Sequence, residues 1–396
     1  MKRKLSGLLA MLTLLTVMAT GGLAEGGSVV IPEIRTAAFE IPDNEALRMI
    51  RDMKAGWNLG NTFDASNCFW LSEEKKMDYE SAWCGVKTSQ ALIQAVKAAG
   101  FRTIRIPVSW HNHLSEDWTI DAAWLDRVRE VASWAYEEGL YVIVNIHHDD
   151  DPAYYYPDAA HAENAARYVR TIWRQLAEKF ADFDERLIFE AINEPRLTGT
   201  SHEWWWEAGD ASCQDAMAQI VALNQVFVDT VRAGGGWNAT RYLMVPAYDA
   251  NPEYACQPAF TLPEDSADNR IIVSAHAYAP YSFALEQPGT DRFSLTDEGQ
   301  KTGITGFLDL LYRTYVSRGI PVLMGEFGAM EKNGNLQDRV DWISFYVAEA
   351  RARGITCCWW DNNLFSGAGE RFGLFDRQDA RCVNPELLEA FMTYCE

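Results

Sequence analysis

The chain has 396 residues, of which 48% are hydrophobic, and 56 acidic against 35 basic side chains give a formal net charge of −21. The apolar fraction excludes an intrinsically disordered chain, because burial of that much apolar surface offsets the entropy cost of ordering. The acidic excess argues against nucleic acid and anionic membranes as partners, since both attract basic surfaces. The 15 tryptophans are unusual, and they indicate flat aromatic surfaces on which a neutral ligand could stack.

The first residues have the pattern of a secretory signal peptide. Lys2, Arg3 and Lys4 precede an apolar run over 8–19, and small residues follow as far as Ala24. We therefore expect a signal peptide over 1–24 with cleavage near Ala24, an N-terminal lead over 25–42, and one catalytic domain over 43–396 of an exported protein. The alternative is an uncleaved anchor, but the run is short for a bilayer span and no later stretch approaches that length.

Export makes disulfides possible, and eight cysteines are available. Cys68 and Cys84 bracket a polar insertion that would be easily closed, so they are the first predicted pair. Two weaker predicted pairs are Cys213 with Cys256 and Cys382 with Cys395, and at least one of the adjacent Cys357 and Cys358 is expected to be a buried apolar side chain. No Cys-x-x-Cys or His-x-x-x-His spacing supports a zinc site, so neither metal nor cofactor is expected.

The rest of the chain alternates between short apolar runs and amphipathic helical patterns. The apolar runs are typical of strands buried on both faces of a parallel sheet, and they lie at 53–59, 103–106, 141–146, 187–192, 242–245, 271–274, 321–324 and 355–360. Helical patterns cover 88–99, 122–138, 161–181, 214–233 and 337–353, and three of them end at a glycine in C-cap position, namely Gly100, Gly139 and Gly354. Eight such repeats predict an α/β fold, a single-domain (β/α)8 TIM barrel whose extended βα loops form a cleft.

Polar residues gather where the predicted strands end. In a barrel these positions converge on one face, the face that carries active sites. The residues are Arg105, His147, His148, Asn193, Glu194, His276, Tyr278, Glu326, Trp360 and Asp361.

Two carboxylates stand out among these residues. Glu194 precedes Pro195, which forces the chain to turn, and Glu326 lies between Gly325 and Gly328, which we expect to permit tight backbone turns. Two glutamates that face each other across a pocket suit glycoside hydrolysis, in which one must be protonated and the other ionised. The alternative is that each glutamate only forms a structural ion pair.

The ordered set Arg105, His147, Asn193-Glu194-Pro195, His276, Tyr278, Glu326 and Trp360 resembles glycoside hydrolase family 5. The strings 56–62 and 273–281 resemble its subfamily 4 of endoglucanases and xyloglucanases, and the resemblance covers residues 40–396. It implies that Glu194 is the acid/base and Glu326 the nucleophile of a retaining reaction. It further implies that Asn193 holds the sugar 2-hydroxyl and that Arg105 and Tyr278 orient Glu326. His276 would set the protonation of Glu194, and His147 and Trp360 would contact the sugar.

Several of these residues have a second interpretation. Arg105 could be a structural ion pair inside the barrel, and His148 is expected to support the site rather than to contact substrate. Asn61, His113 and Asp361 begin loops and could hydrogen-bond sugar hydroxyls. Because side chains alternate along a strand, only one of Trp359 and Trp360 points into the barrel. Trp360 is predicted to be the ring on which the sugar stacks, because Asp361 and Asn362 follow it. In the triplet 204–206, one or two rings are expected to pack the loop down.

The predicted function is a secreted, monomeric endo-β-1,4-glucanase that hydrolyses cellulose, mixed-linkage β-glucan or xyloglucan with retention of configuration. A neutral polysaccharide suits a strongly acidic protein. One alternative is a β-mannanase or xylanase on the same barrel, which the catalytic residues alone do not distinguish. The other alternative is a barrel that binds glucan without catalysis.

Overall fold

Eight parallel strands form a closed barrel in the computed structural model of the protein, which describes residues 28–396. Each strand pairs with the next in sequence, and β8 closes the barrel on β1. The predicted (β/α)8 fold is therefore confirmed. The predicted signal peptide and its cleavage near Ala24 lie outside the described residues.

The barrel strands all fall within or overlap the predicted runs. Their bounds are β1 (Ala55–Leu59), β2 (Thr103–Ile106), β3 (Tyr141–Asn145), β4 (Leu187–Glu190), β5 (Leu243–Pro246), β6 (Ile271–His276), β7 (Val322–Phe327) and β8 (Thr356–Asp361). A short antiparallel pair that the sequence did not indicate follows the barrel, formed by β9 (Phe375–Asp376) and β10 (Arg381–Cys382).

Helices alternate with these strands on the outside of the barrel. They are α1 (Glu45–Asp52), α2 (Tyr79–Ala82), α3 (Gln90–Ala98), α4 (Ala122–Glu137), α5 (Ala162–Lys179), α6 (Ala211–Ala233), α7 (Pro252–Ala255), α8 (Tyr281–Ala284), α9 (Glu298–Thr314), α10 (Leu336–Ala352) and α11 (Pro385–Cys395). Between residues 28 and 396, none of the helices is both long enough and apolar enough to cross a bilayer.

The helix ends follow from local sequence. Asp121 and Asp210 precede α4 and α6, and each carboxylate accepts hydrogen bonds from two backbone N–H groups of the first turn. Gly139 and Gly354 follow α4 and α10 with φ of 76° and 75°, a left-handed conformation that glycine adopts without strain.

One end of the barrel is closed by α1, which packs on the side chains that point into the barrel. Ala46, Met49 and Ile50 of this helix contact the inward layer, which contains Ile143, Ile188, Met244, Ile272, Leu323 and Cys358. The larger apolar cluster lies between the strands and the outer helices. Because this closure is at the amino-terminal end of the strands, polar groups at the opposite end are left to form a site.

The register shifts at the other end of two strand pairs. Between β6 and β7 the shift falls at Ala275 and His276, so that His276 pairs with Glu326. A second shift lies between Met324 and Phe327 where β7 meets β8. Such irregularities re-aim side chains, and here they fall at a predicted carboxylate.

The cysteine predictions were only partly right. All eight cysteines are free, so the pairs Cys68–Cys84, Cys213–Cys256 and Cys382–Cys395 are wrong for this structure. The thiols of Cys68 and Cys84 instead donate weak hydrogen bonds to separate backbone carbonyls, those of Ser66 for the first and of Glu80 and Val86 for the second. Cys357 and Cys358 are both buried apolar side chains, as expected for at least one of them.

Candidate active site

Arg105, at the third position of β2, is the centre of the polar cluster at the carboxyl end of the barrel. Its guanidinium is fully buried and donates hydrogen bonds to Glu190 Oε2, Glu326 Oε1 and Asn193 Oδ1, each at 2.7 Å. A further bond of 3.0 Å reaches Asn58 Oδ1. Burial alone would lower the pKa of Arg105, but the charges of Glu190 and Glu326 raise it above its usual value. Arg105 is thus both an ion pair inside the barrel and a neighbour of the predicted nucleophile.

Glu326 of β7 is held by donors at both carboxylate oxygens. Arg105 donates to Oε1 at 2.7 Å, and the Tyr278 hydroxyl donates to Oε2 at 2.9 Å. Burial and the neighbouring Glu326 charge raise the pKa of Tyr278 well above its ordinary value, so this phenol remains a donor. A cation and a phenol thus donate to opposite oxygens of Glu326 and fix the orientation of its carboxylate.

Glu194 follows β4 and pairs with the imidazole of His276 instead. His276 Nδ1 lies 2.8 Å from Glu194 Oε1, and Arg196 lies 3.9 Å from Oε2. Burial would raise the pKa of Glu194, but the hydrogen bond and charge of His276, together with the charge of Arg196, lower it. One oxygen of Glu194 lies within 4.8 Å of an oxygen of Glu326, so the two carboxylates lie close together in one site.

His276 is the second buried cation of the site. Burial would lower its pKa, but the charge of Glu326 and the partners Glu190 and Glu194 raise the pKa to about 9. Its Nε2 lies 3.8 Å from Glu190 Oε1. This distance is too long for a hydrogen bond, so the contact between the two groups is electrostatic.

Gly325 explains how His276 comes so close to β7. A Cβ at this position would lie 2.9 Å from His276 Nε2 and 3.3 Å from Met244 Cε. Gly325 is therefore required for space, and not for the tight backbone turn that its sequence context suggested.

Glu190 is a third buried carboxylate, and sequence reasoning missed it. It ends β4 and accepts hydrogen bonds from Arg105 Nε at 2.7 Å, Ser274 Oγ at 2.7 Å and Asn145 Nδ2 at 2.9 Å. Burial would raise its pKa, but Arg105 and His276 lower it to about 2. The available signal was a charged residue at the end of an apolar strand predicted to be buried on both faces.

Asn193 is oriented by the same guanidinium. Its Oδ1 accepts from Arg105 Nη2, which turns the amide nitrogen away from that bond. Within residues 28–396 the Nδ2 group makes no hydrogen bond, and it is left to donate to a ligand beside Glu194.

His147 and Trp360 form an aromatic wall at the site. Their rings are parallel within 4°, with centroids 5.8 Å apart. Burial lowers the pKa of His147 well below its usual value, so its imidazole is neutral. Trp360 also packs against Phe372 and Met330 and is 7% exposed.

The Trp359 side chain points to the opposite face of β8 from that of Trp360. It is fully buried, its Nε1 donates to the Phe372 carbonyl, and Arg339 lies over its ring at 5.8 Å. Trp360 is therefore the tryptophan on the site side of the strand.

His148 and Asn61 lie at the edge of this wall. The His148 ring contacts those of His147 and Trp83, and burial lowers its pKa to about 4. Asn61 has a left-handed backbone with φ of 55°, and its N–H donates to Asp64. These contacts agree with a supporting position for His148, and the role of Asn61 in sugar binding stays a prediction.

Two predicted sugar contacts are wrong. His113 is buried, stacks on the Trp124 ring at 3.7 Å, and has its pKa lowered to about 3 by burial, so it belongs to the core. Asp361 is fully buried and accepts from Trp57 Nε1 and the Phe375 N–H, which fix the turn after β8. A position at a loop start did not reveal that both side chains turn inward.

The tryptophan triplet divides as expected. Trp206 is buried and donates to the Cys213 carbonyl, whereas Trp204 and Trp205 are 58% and 64% exposed. Arg196 lies over the Trp204 ring at 4.2 Å and donates to the Glu194 carbonyl, which links these rings to the site.

Two sets of side chains in the site each bring together atoms that can bind a metal ion. Glu194, His276 and Glu326 form one group, and Asp64, His147 and His148 form the other. In the first group the carboxylate neighbours raise the pKa of His276 to about 9, which makes its imidazole a charge partner of Glu194 near neutral pH.

Comparison with known proteins gives a consistent result. The family described as "Cellulase (glycosyl hydrolase family 5)" matches residues 64–366. Endoglucanase 1 of Ruminococcus albus is 41% identical over 351 residues, which cover 88% of this chain and 81% of that protein.

Two solved structures extend the match. A glutamate-to-glutamine mutant of the glycoside hydrolase 5 lichenase from Caldicellulosiruptor sp. F32, in complex with cellotetraose, is 52% identical with a TM-score of 0.91, and the match covers 93% of this chain and all of that one. A GH5-4 broad specificity endoglucanase from Ruminococcus champanellensis with bound cellotriose is 40% identical with a TM-score of 0.82, covering 89% of this chain and all of that one.

The Gly325→Ala variant tests the close approach of His276 to β7. Because the added methyl would displace the imidazole, we expect kcat/KM to fall about a hundredfold while the protein stays folded. Gly306→Ala is the matched control: a Cβ there meets nothing within 4 Å on α9, and we expect full activity and slightly higher stability. Steady-state kinetics and thermal unfolding measure both, and full activity of Gly325→Ala would contradict the spatial requirement.

Proposed function

Since this chain belongs to glycosyl hydrolase family 5, we propose that it is a retaining endo-β-1,4-glucanase acting on unbranched β-glucans such as cellulose and mixed-linkage glucan. The observation that carries the proposal is the pair Glu194 and Glu326, with oxygens within 4.8 Å of each other but held by different partners. The named activities of the relatives, endoglucanase and lichenase, support this substrate class.

The separation of the two carboxylates supports retention of configuration. Retaining glycosidases hold the two carboxyl groups about 5–5.5 Å apart, whereas inverting ones leave about 6.5–9.5 Å for a water molecule. An oxygen–oxygen approach within 4.8 Å fits the shorter class.

In the proposed reaction Glu326 is the nucleophile. Hydrogen bonds from Arg105 and Tyr278 fix the direction of its carboxylate. It attacks the anomeric carbon as the bond from that carbon to the leaving oxygen breaks, and a covalent glycosyl-enzyme results. Water then attacks the same carbon and releases Glu326, so two inversions give net retention.

Glu194 is the proposed acid/base. It shares one proton with His276 across the 2.8 Å contact, and that proton is available to the leaving oxygen through Glu194. After the first step Glu194 is ionised and takes a proton from the incoming water. Because the pair holds the proton jointly, the lowered pKa of Glu194 does not prevent its role as an acid.

The remaining residues position the sugar. Asn193 Nδ2 would donate to the 2-hydroxyl, a contact that strengthens at the transition state. The His147 and Trp360 wall would carry the apolar face of the ring. Exposed Trp204 and Trp205 would stack on sugars further along the chain, as an enzyme that cleaves internal bonds requires.

We further propose that the domain over 43–396 acts as a secreted monomer and needs no cofactor for this reaction. The N-terminal pattern of the sequence supports export, and the charge of −21 suits a neutral polysaccharide. The site supplies its own cations, Arg105 and His276, where charge develops.

A substrate panel tests the function. We expect rapid release of reducing ends, with an early fall in viscosity, from barley mixed-linkage glucan and carboxymethyl-cellulose. Xyloglucan cleavage as well would extend the activity to branched glucan. Activity on mannan or xylan alone would overturn the glucanase proposal, and no activity on any polymer would mean a barrel that only binds. A Glu326→Gln sample prepared in parallel excludes contaminating enzymes and should lose activity by several orders of magnitude.

The raised pKa of His276 gives a pH prediction. A folded pKa of about 9 against an ordinary 6.5 means that the folded protein binds this proton more tightly than the unfolded chain. Its contribution to stability is therefore complete below about pH 6.5 and is lost as the pH rises through about 9. We expect the alkaline limb of kcat/KM in the same range.

His276→Asn is the variant that isolates this effect, because the amide can still donate to Glu194 but carries no charge. Its alkaline limb should move down by more than about one pH unit, because the proton that titrates near pH 9 is lost with the imidazole and the limb then follows the Glu194 carboxyl itself. An unchanged limb in this variant would show that another group controls the profile.

A further inference from the structure

A histidine, an aspartate and a cysteine meet outside the glutamate site, where the long loop after β4 enters α6. A ring nitrogen of His202, a carboxylate oxygen of Asp210 and Cys213 Sγ all lie within 4.8 Å of one another, and His202 Nε2 lies 3.6 Å from Asp210 Oδ2. We call these three residues the His202 cluster. It contains one nitrogen, one oxygen and one sulfur atom, the donor types that bind zinc in proteins.

Each polar member of the cluster is already oriented by a second contact. His202 Nδ1 lies 3.2 Å from the Trp205 carbonyl, which only accepts, so Nδ1 is the donor in this contact and Nε2 faces Asp210. Metal-binding histidines use this same arrangement, in which the other ring nitrogen donates to a carbonyl or carboxylate.

Asp210 is oriented by its role as the cap of α6. Its Oδ1 accepts from the Ser212 and Cys213 N–H groups and from the Ser212 hydroxyl. The other oxygen, Oδ2, lies 3.6 Å from His202 Nε2, too far for a hydrogen bond. Two such ligands on one tetrahedral zinc ion are separated by about 3.3–3.5 Å, given bond lengths near 2.0–2.1 Å.

Cys213 completes the group from the first turn of α6. Its thiol makes only a 3.9 Å contact with the Trp205 carbonyl. Burial and the nearby Asp210 carboxylate raise the pKa of the Cys213 thiol, so a bound cation has to displace the thiol proton. The side chains of His202 and Asp210 are 20% and 35% exposed, which leaves a route for an ion from solvent.

We propose that His202, Asp210 and Cys213 bind one divalent ion of the zinc class, with water in the fourth position. Binding replaces the thiol proton of Cys213 by the metal and releases that proton to solvent. The sequence did not indicate this site, because His-x7-Asp-x2-Cys matches none of the common zinc spacings.

The position of the cluster indicates what the ion would do. Residues 202 and 213 bracket the tryptophan triplet, and Trp206 Nε1 donates to the Cys213 carbonyl. An ion at the cluster would join the two ends of this segment and hold exposed Trp204 and Trp205 beside Arg196 and Glu194. Under the proposed function, its loss should weaken binding of long glucans more than it lowers kcat.

Cobalt titration tests the site without relying on activity. The full chain is treated with a chelator, kept reduced with a phosphine, and titrated with Co²⁺ and then with Zn²⁺. We expect a near-ultraviolet thiolate-to-cobalt charge-transfer band that saturates at one equivalent, is bleached by Zn²⁺, and accompanies a rise in Tm on adding either ion. Absence of both the band and the Tm shift would overturn the proposal.

Two variants and one control test the ligands. Cys213→Ala should abolish the charge-transfer band. Asp210→Asn should lower the affinity for the ion at least about tenfold while keeping the helix cap, since Asn caps as well as Asp. Cys256→Ala is the matched control, because this half-buried cysteine lies outside the cluster and should leave the band unchanged. A band that persists in Cys213→Ala, or that disappears in Cys256→Ala, would place the ion elsewhere.

Discussion

The site depends on one buried cation. Arg105 is completely enclosed, and an unpaired charge in that position would cost several kcal/mol. Its guanidinium therefore donates to two carboxylates, Glu190 and Glu326, and to the side-chain oxygens of Asn58 and Asn193. One guanidinium thus fixes the direction of the proposed nucleophile, the amide that would meet the sugar, and the charge balance of the barrel mouth.

The charges around Arg105 explain why two nearby glutamates behave differently. Arg105 and His276 are cations among three carboxylates, of which Glu190 and Glu326 are buried and Glu194 is partly exposed. Glu326 receives donors that stay protonated throughout, whereas Glu194 is paired with a group that itself can exchange a proton. The difference between the proposed nucleophile and acid/base is therefore a difference in partners, and the strand register shifts at His276, the partner of Glu194.

Sequence reasoning was sufficient for the barrel, and it predicted that the strand-end residues would lie together, because strand ends in a parallel barrel converge whatever the loops do. It failed for residues whose place in the site depends on the direction in which the side chain points. Glu190 was hidden as the last residue of an apolar strand, and His113 and Asp361 begin loops but point into the protein. The disulfide predictions failed for a related reason, since separation along the chain does not give the distance between thiols. The His202 cluster likewise exists only through the folding of one loop onto α6.

Trapping of the glycosyl-enzyme tests the central claim most directly. A 2-deoxy-2-fluoro-β-cellobioside with a good leaving group lacks the 2-hydroxyl contact, so its intermediate should form and then hydrolyse slowly. Peptide mass spectrometry should find the fluorocellobiosyl group on Glu326, with no label in Glu326→Gln. A label on Glu194 or Glu190, or products of inverted configuration, would contradict the assignment of Glu326 as the nucleophile held by Arg105.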